Sequence, residues 1–417
     1  MGNNPQDLLE ERVKRVEDAI SLRTPDRVPV VPLMHLFPAR YAGITFQEAF
    51  DDIDKWLTAN RTTIVELEPD MYMSPMAAVF MTHGGCEALG LKQVKLPGHG
   101  IGPMYSFQFI EDEYMQADEY EAFINDPSDY AVRTYMPRIY GALEPLRMLP
   151  PLKWFLMGYG GAPLIAAAAS NPDVVNAFEA MYEAGRHILK QAAAVGSFIR
   201  EMTTLGFCSF TGGTTLNSFD LISDMLRGMK GSMLDVFRQP EKLLEAMDVL
   251  LPTMVEMAIF GAKRTKNPRI YIPLHRGADG FMSPKQFEEY YWPHLKKLFL
   301  ALIDEGLTPC PFMEGSWNSR LEYLKEVPKG KILAHFDATD VFKAKDLLGD
   351  RICIQGNVPL TLLQVGTRQQ VKDYCRKLID VVGEGGGLVM DGGGALDDAD
   401  PELVKVMIEF TKEYGIY

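Results

Sequence analysis

Acidic and histidine side chains follow or end several apolar stretches of the sequence, in positions where they could bind a metal ion. Glu314 comes directly after TPCPFM, His275 after RIYIPL and Asp391 after GLVM, while His335 lies within KILAHFDAT. Carboxylate oxygens and imidazole nitrogens are zinc ligands, and a zinc ion with three protein ligands keeps one position open. Side chains at the carboxyl ends of neighbouring parallel strands, about 4.8 Å apart, can share one metal. Glu314, His335, His275 and Asp391 therefore supply a carboxylate and imidazole set compatible with a Zn site.

Each of these residues also has a structural interpretation. An acidic residue after a strand can cap the next helix, as Ser316 and Asn318 also could. A histidine such as His335 is often a hydrogen-bonded structural residue. Asp391 precedes three glycines and could shape a turn. The sequence leaves these alternatives open.

Further polar side chains are predicted near the same strand ends. His35 and Arg40 follow the apolar stretch 27–34 and are predicted to bind substrate. Arg276 and Asp279, in LHRGADG, could bind a substrate or form a local ion pair. Tyr159 precedes GGAP at another predicted strand end, where its phenol could donate a hydrogen bond in catalysis.

Apolar stretches of strand length alternate with helical patterns along most of the chain. Strands are predicted at 27–34, 154–164, 204–213, 269–277, 307–315, 331–339, 351–357 and 387–394. Helices are predicted at 6–22, 46–68, 112–147 (as a hairpin), 164–205, 219–229, 233–263, 284–305, 318–326 and 367–382, and from 401 onward. This alternation is typical of parallel βαβ units. The absence of a linker favours one (β/α)8 TIM barrel over residues 1–417, with a helical extension at its amino end.

Residues 71–110 interrupt this pattern. The stretch is rich in methionine, glycine and aromatic residues and is predicted to be an irregular insertion or lid. Its apolar side chains could form a pocket for an apolar ring. His83 and His99 could line that pocket or lie on the surface.

Composition excludes several classes of protein. The 417 residues are 47% hydrophobic, and 56 acidic against 42 basic residues give a formal net charge of −14. Such a chain can build a large core, and its charge argues against binding to nucleic acid or an anionic membrane surface. The five cysteines form no CxxC pair and the amino terminus carries no apolar signal core, so we expect a cytoplasmic protein.

Common catalytic motifs are missing. The glycine runs near residues 385–394 lack the strand–GxGxxG–helix context of a dinucleotide site, and the sequence contains neither a P-loop lysine nor a GxSxG elbow. Cys310 lies between two prolines in a predicted strand and is expected to be packed core rather than a nucleophile.

Several longer stretches resemble the uroporphyrinogen decarboxylase superfamily, from about Thr24 to the end of the chain. They are RTPDRVPVVPL, GAPL, MSPKQFEEYYWPHLKKL, HFDATDVFKAKDLLGDRICIQGNVP and DPELVKVMIEF. The combination of QGNVP with the SPxxFxE helix is fairly specific. The resemblance implies a (β/α)8 barrel, in agreement with the strand and helix pattern.

The resemblance also implies which branch of the superfamily to expect. Decarboxylases of the family carry an arginine-rich motif that binds porphyrinogen carboxylates, whereas the corresponding HLFPARYAG has Arg40 as its only cation. Corrinoid-linked methyltransferases of the family bind zinc through a His-x-Cys-Gly motif, which falls on residues 312–315, and through a later cysteine near residues 390–394. Neither place has a cysteine here, and Glu314 stands where the zinc-bound thiolate is expected.

Replacing a thiolate by a carboxylate makes a bound zinc a harder and stronger Lewis acid. That change suits an ether, whose oxygen is a poor leaving group until it is coordinated. We therefore expect methyl transfer from an O-methyl substrate, for example an aryl methyl ether, to the cobalamin of a partner corrinoid protein, since the chain lacks the DxHxxG corrinoid signature. Two alternatives remain: a metal-free decarboxylase or lyase acting on a small carboxylic acid, and a non-catalytic binding protein. A thiol or folate acceptor, and the oligomeric state, also stay open.

Overall fold

Parallel strands alternate with helices in the computed structural model, which describes residues 4–417. In chain order the strands are β1 (Met71–Tyr72), β2 (Val94–Pro97), β3 (Gly100–Ile101), β4 (Gln108–Phe109), β5 (Cys208–Ser209), β6 (Gly213–Thr214), β7 (Arg269–Leu274), β8 (Thr308–Met313), β9 (Leu333–Phe336), β10 (Cys353–Gln355) and β11 (Leu388–Val389). Six of them form a parallel sheet in the order β11-β10-β9-β8-β7-β6, and β1 pairs in parallel with β5.

The ring of strands closes through the extended segment 28–31. Val30 pairs in parallel with Met390 on one side, and on the other side its carbonyl accepts a 2.9 Å hydrogen bond from the Asp70 amide. The third barrel strand is divided, since β5 pairs only with β1 and β6 only with β7. A Cβ atom at Gly212, in the break, would lie 2.0 Å from the Asn267 carbonyl oxygen, so this close approach needs a glycine. The predicted (β/α)8 TIM barrel is confirmed.

Helices surround this ring. The α-helices are Pro5–Ile20, Phe37–Tyr41, Phe46–Asp51, Ile53–Leu67, Pro75–Ala78, His83–Leu89, Tyr120–Asn125, Pro127–Tyr130, Met136–Ile139, Ala162–Ala169, Pro172–Thr204, Ser218–Leu221, Gly228–Arg238, Pro240–Thr265, Pro284–Gln286, Trp292–Asp304, Val341–Leu348, Leu360–Val365, Arg368–Lys377 and Pro401–Tyr414. Gly141–Met148, Leu152–Met157 and Leu321–Glu326 are 3₁₀-helices, and Ala131–Tyr135, Ile222–Leu226, Phe287–Tyr291 and Leu378–Val382 are π-helical. None of the described helices is long and apolar enough to cross a membrane.

Two of the sequence predictions are corrected by these elements. The strand predicted at 154–164 is wrong, because Leu152–Met157 is a 3₁₀-helix. The second barrel strand is instead β1, at the start of the predicted insertion. The predicted helix 46–68 is two helices, because the Asp52 carboxylate accepts hydrogen bonds from the Asp54 and Lys55 amides and starts a new helix there.

Among the hydrophobic clusters of the described residues, one fills the barrel interior and another lies at the insertion. The barrel interior is filled by side chains such as Val31, Leu333 and Cys310. Cys310 is buried, as predicted. A second core, with Phe50 and Trp56 among its members, joins the insertion to the helices that follow segment 28–31. In the insertion, β2 pairs in parallel with β3 and antiparallel with β4.

Candidate functional site

His275 and Glu314 lie side by side at the carboxyl ends of β7 and β8. The register of this strand pair places Leu274 beside Met313, so the next residues leave the barrel at the same level. His275 Nε2 lies 3.5 Å from Glu314 Oε2. The Glu314 side chain is 56% exposed, whereas His275 is 31% exposed and reaches back into the protein. The two predicted residues therefore form a contact that opens to solvent.

The other ring nitrogen of His275 is held by an aspartate that the sequence analysis did not select. Asp224 lies in the π-helical turn Ile222–Leu226, and its Oδ2 lies 2.6 Å from His275 Nδ1. The carboxylate accepts the Nδ1–H, which directs Nε2 toward Glu314. Asp224, His275 and Glu314 thus form one chain of carboxylate, imidazole and carboxylate, which we call the mouth triad.

Asp220 fixes the backbone of the same site from below. Its fully buried carboxylate accepts hydrogen bonds from the amides of His275 and Arg276 and from the Tyr291 hydroxyl. Burial raises the pKa of Asp220, although the nearby charge of His275 opposes the rise. A sequence signal for both aspartates existed, because they stand four residues apart in the predicted helix after the strand at 204–213.

The surrounding carboxylates make the His275 imidazole cationic at neutral pH. Burial alone would lower its pKa, but the hydrogen bond to Asp224 and the charges of Asp220, Asp224 and Glu314 outweigh burial and raise the pKa to about 9. The site therefore has a charged proton donor at the mouth of the barrel.

Arg276 forms the local ion pair that was one of its two predicted roles. Its guanidinium contacts Asp224 Oδ1 at 3.0 Å and donates from Nε to Ser223 Oγ at 2.8 Å. Asp279 likewise binds protein groups, accepting from the hydroxyls of Ser316 and Ser319 at 2.7 and 2.6 Å. Asp279 thereby fixes the loop that begins at Glu314.

His335 lies deeper in the barrel than Glu314. The register places His335 beside Phe312, two residues before Glu314, which is about 7 Å along a strand. Its Nε2–H donates to the Gly392 carbonyl at 2.8 Å, and burial lowers the His335 pKa to about 4, so the ring is neutral. Continuing the register places Asp337 level with Glu314 instead, and Asp337 accepts from the Gly315 amide at 2.8 Å.

Asp391 joins the last barrel strand to the first. Its fully buried carboxylate accepts hydrogen bonds from the amides of Leu33 and Gly392 and from Gln355 Nε2. Burial raises the Asp391 pKa well above its usual value. These contacts match the alternative in which Asp391 has a structural role, although its Oδ2 also lies 3.5 Å from His335 Nε2.

The predicted four-residue metal site is therefore corrected to two separate pairs. Glu314 contacts His275, and His335 contacts Asp391. Among the described residues, no three of these four side chains have their ligand atoms within 4.8 Å of one another. The prediction assumed that all strand ends reach one point, whereas the register places His335 below the level of Glu314. Glu314 and His275 supply two of the three protein ligands that a catalytic zinc usually has. Asp224 supports the imidazole from behind, as carboxylates do for metal-bound histidines.

The two residues predicted to bind substrate after the first barrel strand, His35 and Arg40, each contact an aspartate. His35 Nδ1 contacts Asp397 at 2.8 Å, and Arg40 is paired with Asp398. The His35 ring also packs against Phe107 of the insertion, with ring centroids 5.6 Å apart, so the insertion contacts the loop that follows the first barrel strand. Phe107 in turn contacts the rings of Phe50, Phe80 and Phe109.

Tyr159 does not lie at a strand end. It follows the 3₁₀-helix Leu152–Met157, and its side chain is 98% exposed. The prediction that places Tyr159 on the barrel mouth through a strand is wrong, because the apolar run before it forms no strand. His83 and His99 do not join the mouth triad either, and both contact Asp51.

A closed ring of parallel strands with ionisable groups at their carboxyl ends defines a TIM-barrel protein whose candidate site lies where the active sites of this fold lie. Residues 157–414, more than half of the chain, match the family described as Uroporphyrinogen decarboxylase (URO-D). The chain belongs to this family, and the predicted resemblance is confirmed.

Curated relatives match over shorter stretches. The uroporphyrinogen decarboxylase of Chlorobium phaeobacteroides is 36% identical over 179 residues, which are 40% of this chain and 50% of that protein. The same enzyme of Chlorobium phaeovibrioides is 38% identical over 78 residues, which are 18% of this chain and 22% of that protein. The chain thus matches between about a fifth and a half of the length of these two relatives.

A solved structure matches almost the whole fold. It is a methyltransferase from Methanosarcina mazei, with a TM-score of 0.62, 14% sequence identity, and coverage of 96% of this chain and 98% of that one. At this identity the likeness concerns the fold alone.

Proposed function

We propose that the protein is a methyltransferase that takes a methyl group from an O-methyl substrate, for example an aryl methyl ether, and passes it to the cobalamin of a separate corrinoid protein. The observation that carries this proposal is the mouth triad, in which a cationic His275 lies between Asp224 and Glu314. The fold shared with a methyltransferase over 96% of the chain supports the same class of reaction.

The chemistry needs help at the ether oxygen. The reduced cobalt supplies the electron pair of the new Co–CH₃ bond, and the electron pair of the broken O–CH₃ bond stays on the oxygen, which needs a proton. His275 has a pKa of about 9, close to the value of about 10 for a phenol, so its Nε2–H can protonate a phenolate leaving group efficiently. An alkoxide is far more basic, so the match favours an aryl ether.

The other members of the mouth triad keep this proton in place. Asp224 accepts the Nδ1–H and fixes the orientation of the ring, so that Nε2 is the nitrogen that points to the mouth. Glu314, which is 56% exposed, is the outermost group, and its negative charge helps to keep the His275 imidazole protonated. Removing either carboxylate should lower the fraction of His275 that holds a proton.

The proposal also includes zinc, bound between Glu314 and His275 of the mouth triad. Glu314 Oε2 and His275 Nε2 would hold it, with Asp224 as the carboxylate partner that metal-bound histidines usually have. As a Lewis acid, bound zinc would polarise the ether oxygen. Zinc and the proton would compete for Nε2 of His275. Measuring the zinc content of active protein therefore distinguishes activation of the oxygen by zinc from activation by the proton.

The two alternatives find less support. A decarboxylase needs free cations for the substrate carboxylate, but Arg40 is paired with Asp398 and Arg276 with Asp224. A binding protein has no need of a cationic imidazole among carboxylates, which is an arrangement typical of catalytic sites.

The test is a methyl-transfer assay with free cob(I)alamin and a panel of methoxylated aromatic compounds, followed by methylcobalamin absorbance and phenol release. We expect activity in the wild type and a loss of about 100-fold or more in His275→Gln. Glu314→Gln and Asp224→Asn should each lose activity, while Asp248→Asn, which removes a carboxylate that pairs with His294, should not. Activity that survives both His275→Gln and Glu314→Gln would overturn the proposal.

Elemental analysis of the same preparations tests the zinc part. Zinc that is present in active wild type and reduced in both His275→Gln and Glu314→Gln supports the Lewis acid. Full activity after chelation, with the metal gone, contradicts it and assigns the activation of the oxygen to the His275 proton.

A further inference from the structure

Asp51, His83 and His99 bring three metal-ligating atoms together in a second place, outside the mouth triad. Among residues 4–417 they are the one group of three or more histidine, cysteine or acidic residues whose ligand atoms lie within 4.8 Å of one another. Asp51 Oδ1 is 2.9 Å from His99 Nε2 and 3.8 Å from His83 Nδ1. The side chains are 26–36% exposed, so an ion can reach them from solvent.

The three residues come from three different elements. Asp51 ends the helix Phe46–Asp51, His83 begins the helix His83–Leu89, and His99 lies in the turn between β2 and β3. These elements follow the first and second barrel strands. An ion bound here would link the insertion to the loop region that follows segment 28–31.

The carboxylate and the turn are held in place before any ion binds. Gln47 donates from Nε2 to Asp51 Oδ2 at 3.2 Å, which leaves Oδ1 for the histidines. Gly98 and Gly100 flank His99 with φ angles of 74° and 100°. These positive φ angles favour glycine, and the absence of a Cβ atom at Gly98 leaves room for the Gln47 side chain.

The first turn of the helix that carries His83 is fixed independently. The buried Gln191 accepts from the Thr82 amide at 3.1 Å and donates to the Val79 carbonyl at 2.7 Å. His83 therefore has a defined backbone position next to Asp51. The preorganised backbone lowers the entropic cost of collecting ligands from separate segments.

The two imidazoles lie face to face, with ring centroids 3.4 Å apart and an interplanar angle of 8°. A metal must lie in the plane of each ring that binds it, so the rings must tilt apart when it enters. The distances from Asp51 Oδ1 to the two nitrogens, 2.9 and 3.8 Å, lie on either side of the ~3.3 Å that separates ligand atoms in a tetrahedral site with 2.0–2.1 Å zinc bonds. The ligand atoms thus already have nearly tetrahedral spacing, whereas the planes of the two rings must turn out of the stack.

We propose that Asp51 Oδ1, His83 Nδ1 and His99 Nε2 bind a divalent transition metal of the zinc class, with water in the remaining position. One carboxylate and two imidazoles are a ligand set that such metals prefer over Mg²⁺ or Ca²⁺. The metal fastens the insertion to the helix Phe46–Asp51. Phe50, next to Asp51, contacts Phe107, and Phe107 contacts His35. A metal that fixes Asp51 would therefore also order these aromatic contacts.

The experiment measures zinc per chain by elemental analysis after equilibrium dialysis against Zn²⁺ alone. The variants Asp51→Asn, His83→Ala and His99→Ala, and the triple variant, are compared with the wild type. His187→Ala is the matched control, because His187 lies against the same helix but pairs with Glu183. We expect the triple variant to bind one zinc fewer than the wild type and the control to bind as much as the wild type.

The same series is repeated in a His275→Gln, Glu314→Gln background, which separates this site from the mouth triad. One zinc per chain should remain in that background and disappear when Asp51, His83 and His99 are also changed. Equal zinc content with and without those three changes would overturn the proposal, whatever the methyl-transfer assay gives.

Chemical modification provides a readout that does not depend on stoichiometry. Diethyl pyrocarbonate should modify His83 and His99 in metal-free protein, and Zn²⁺ should protect both, as followed by peptide mass spectrometry. His187 should react equally with and without Zn²⁺. Reaction of His83 and His99 that is unaffected by saturating Zn²⁺ would contradict binding at this site.

Discussion

A single imidazole, His275, concentrates the chemistry of the barrel mouth. The carboxylates of Asp220, Asp224 and Glu314 hold its pKa near 9 against the opposing effect of burial. We assign most of the rise in the His275 pKa to Asp224. The variant Asp224→Asn keeps a hydrogen-bond acceptor for Nδ1 but removes the charge. We expect the His275 pKa to fall by about one to three units in Asp224→Asn, measured by NMR titration of the ring. Asp248→Asn should leave it unchanged, and a midpoint near 9 in Asp224→Asn would contradict the assignment.

Folding lowers the pKa of His335 and raises that of His275, so the two residues link stability to pH in opposite directions. Its pKa is about 4 in the folded protein because of burial, against about 6.5 in an unfolded chain, so the unfolded state binds the proton first. The free energy of unfolding should therefore fall by up to about 3 kcal/mol as pH drops from about 6.5 to 4. His335→Gln can still donate to the Gly392 carbonyl and should lack this component. Parallel urea denaturation at pH 7 and pH 5 gives the comparison, and equal pH slopes in the two proteins would refute the expectation.

The sign for His275 is reversed, because its folded pKa is raised. Its contribution to stability is complete below about pH 6.5 and is lost as pH rises through about 9. Between about pH 6.5 and 9, His335 therefore costs no stability, and part of the His275 contribution remains.

Two members of the mouth triad were predictable, because the residue that follows an apolar strand can be recognised in the sequence. Glu314 and His275 are each the first residue after an apolar strand, so the sequence alone placed them at the mouth. The depth of His335 depends on which residue of β9 stands beside Phe312, and the pairing register cannot be read from one strand. Asp224 was missed because it comes from a helix, and its spacing from Asp220 does not show which ring it contacts.

At the scale of elements, the helix Pro5–Ile20 is tied to the barrel through one carboxylate. Asp70 is fully buried, accepts from Arg15 and Arg27, and also accepts from the Val30 amide. Asp70 therefore links the amino-terminal helix, the first barrel strand and the start of β1. The structure thus depends on this group for the seam between two strands that share few backbone hydrogen bonds.

Removing the Asp70 carboxylate should leave two largely buried guanidinium groups without their common partner. We expect Asp70→Ala to lower the free energy of unfolding by about 3–5 kcal/mol, measured by urea denaturation. The matched variant Asp26→Ala removes the outer, 63% exposed partner of Arg15 and should cost about 1 kcal/mol or less. Equal costs for the two variants would mean that burial does not determine the strength of this network.

Two elements mark the limit of prediction from sequence patterns. WFLM at 154–157 and MYM at 71–73 are both short apolar runs, and periodicity does not separate a strand from a helical turn at this length. The first forms a 3₁₀-helix and the second contains a barrel strand, because the pairing partner, β5, decides the outcome. The long helices Pro5–Ile20 and Pro401–Tyr414 were predictable, since several turns of amphipathic spacing and a capping residue agree.

At the scale of the whole molecule, the barrel was predictable because strand–helix alternation recurs along the chain and the QGNVP and SPxxFxE stretches resemble one family. How the insertion sits beside the mouth was not predictable, since it depends on contacts such as that between His35 and Phe107, which lie 72 positions apart in the chain.

The divided third strand should determine where the barrel first opens by local unfolding. Its first part, β5, forms a two-residue ladder with β1. The neighbouring strands hold this pair through few backbone hydrogen bonds, among them Asp70 to Val30 and Gly212 to Arg269. The long β7–β8 ladder has six residue pairs. Amide protons of residues 71–72 and 208–210 should therefore exchange with deuterium well before those of β7 and β8, as mass spectrometry can follow. The barrel would then open first at one hinge beside the insertion, and uniform exchange around the ring would show that the break has no such effect.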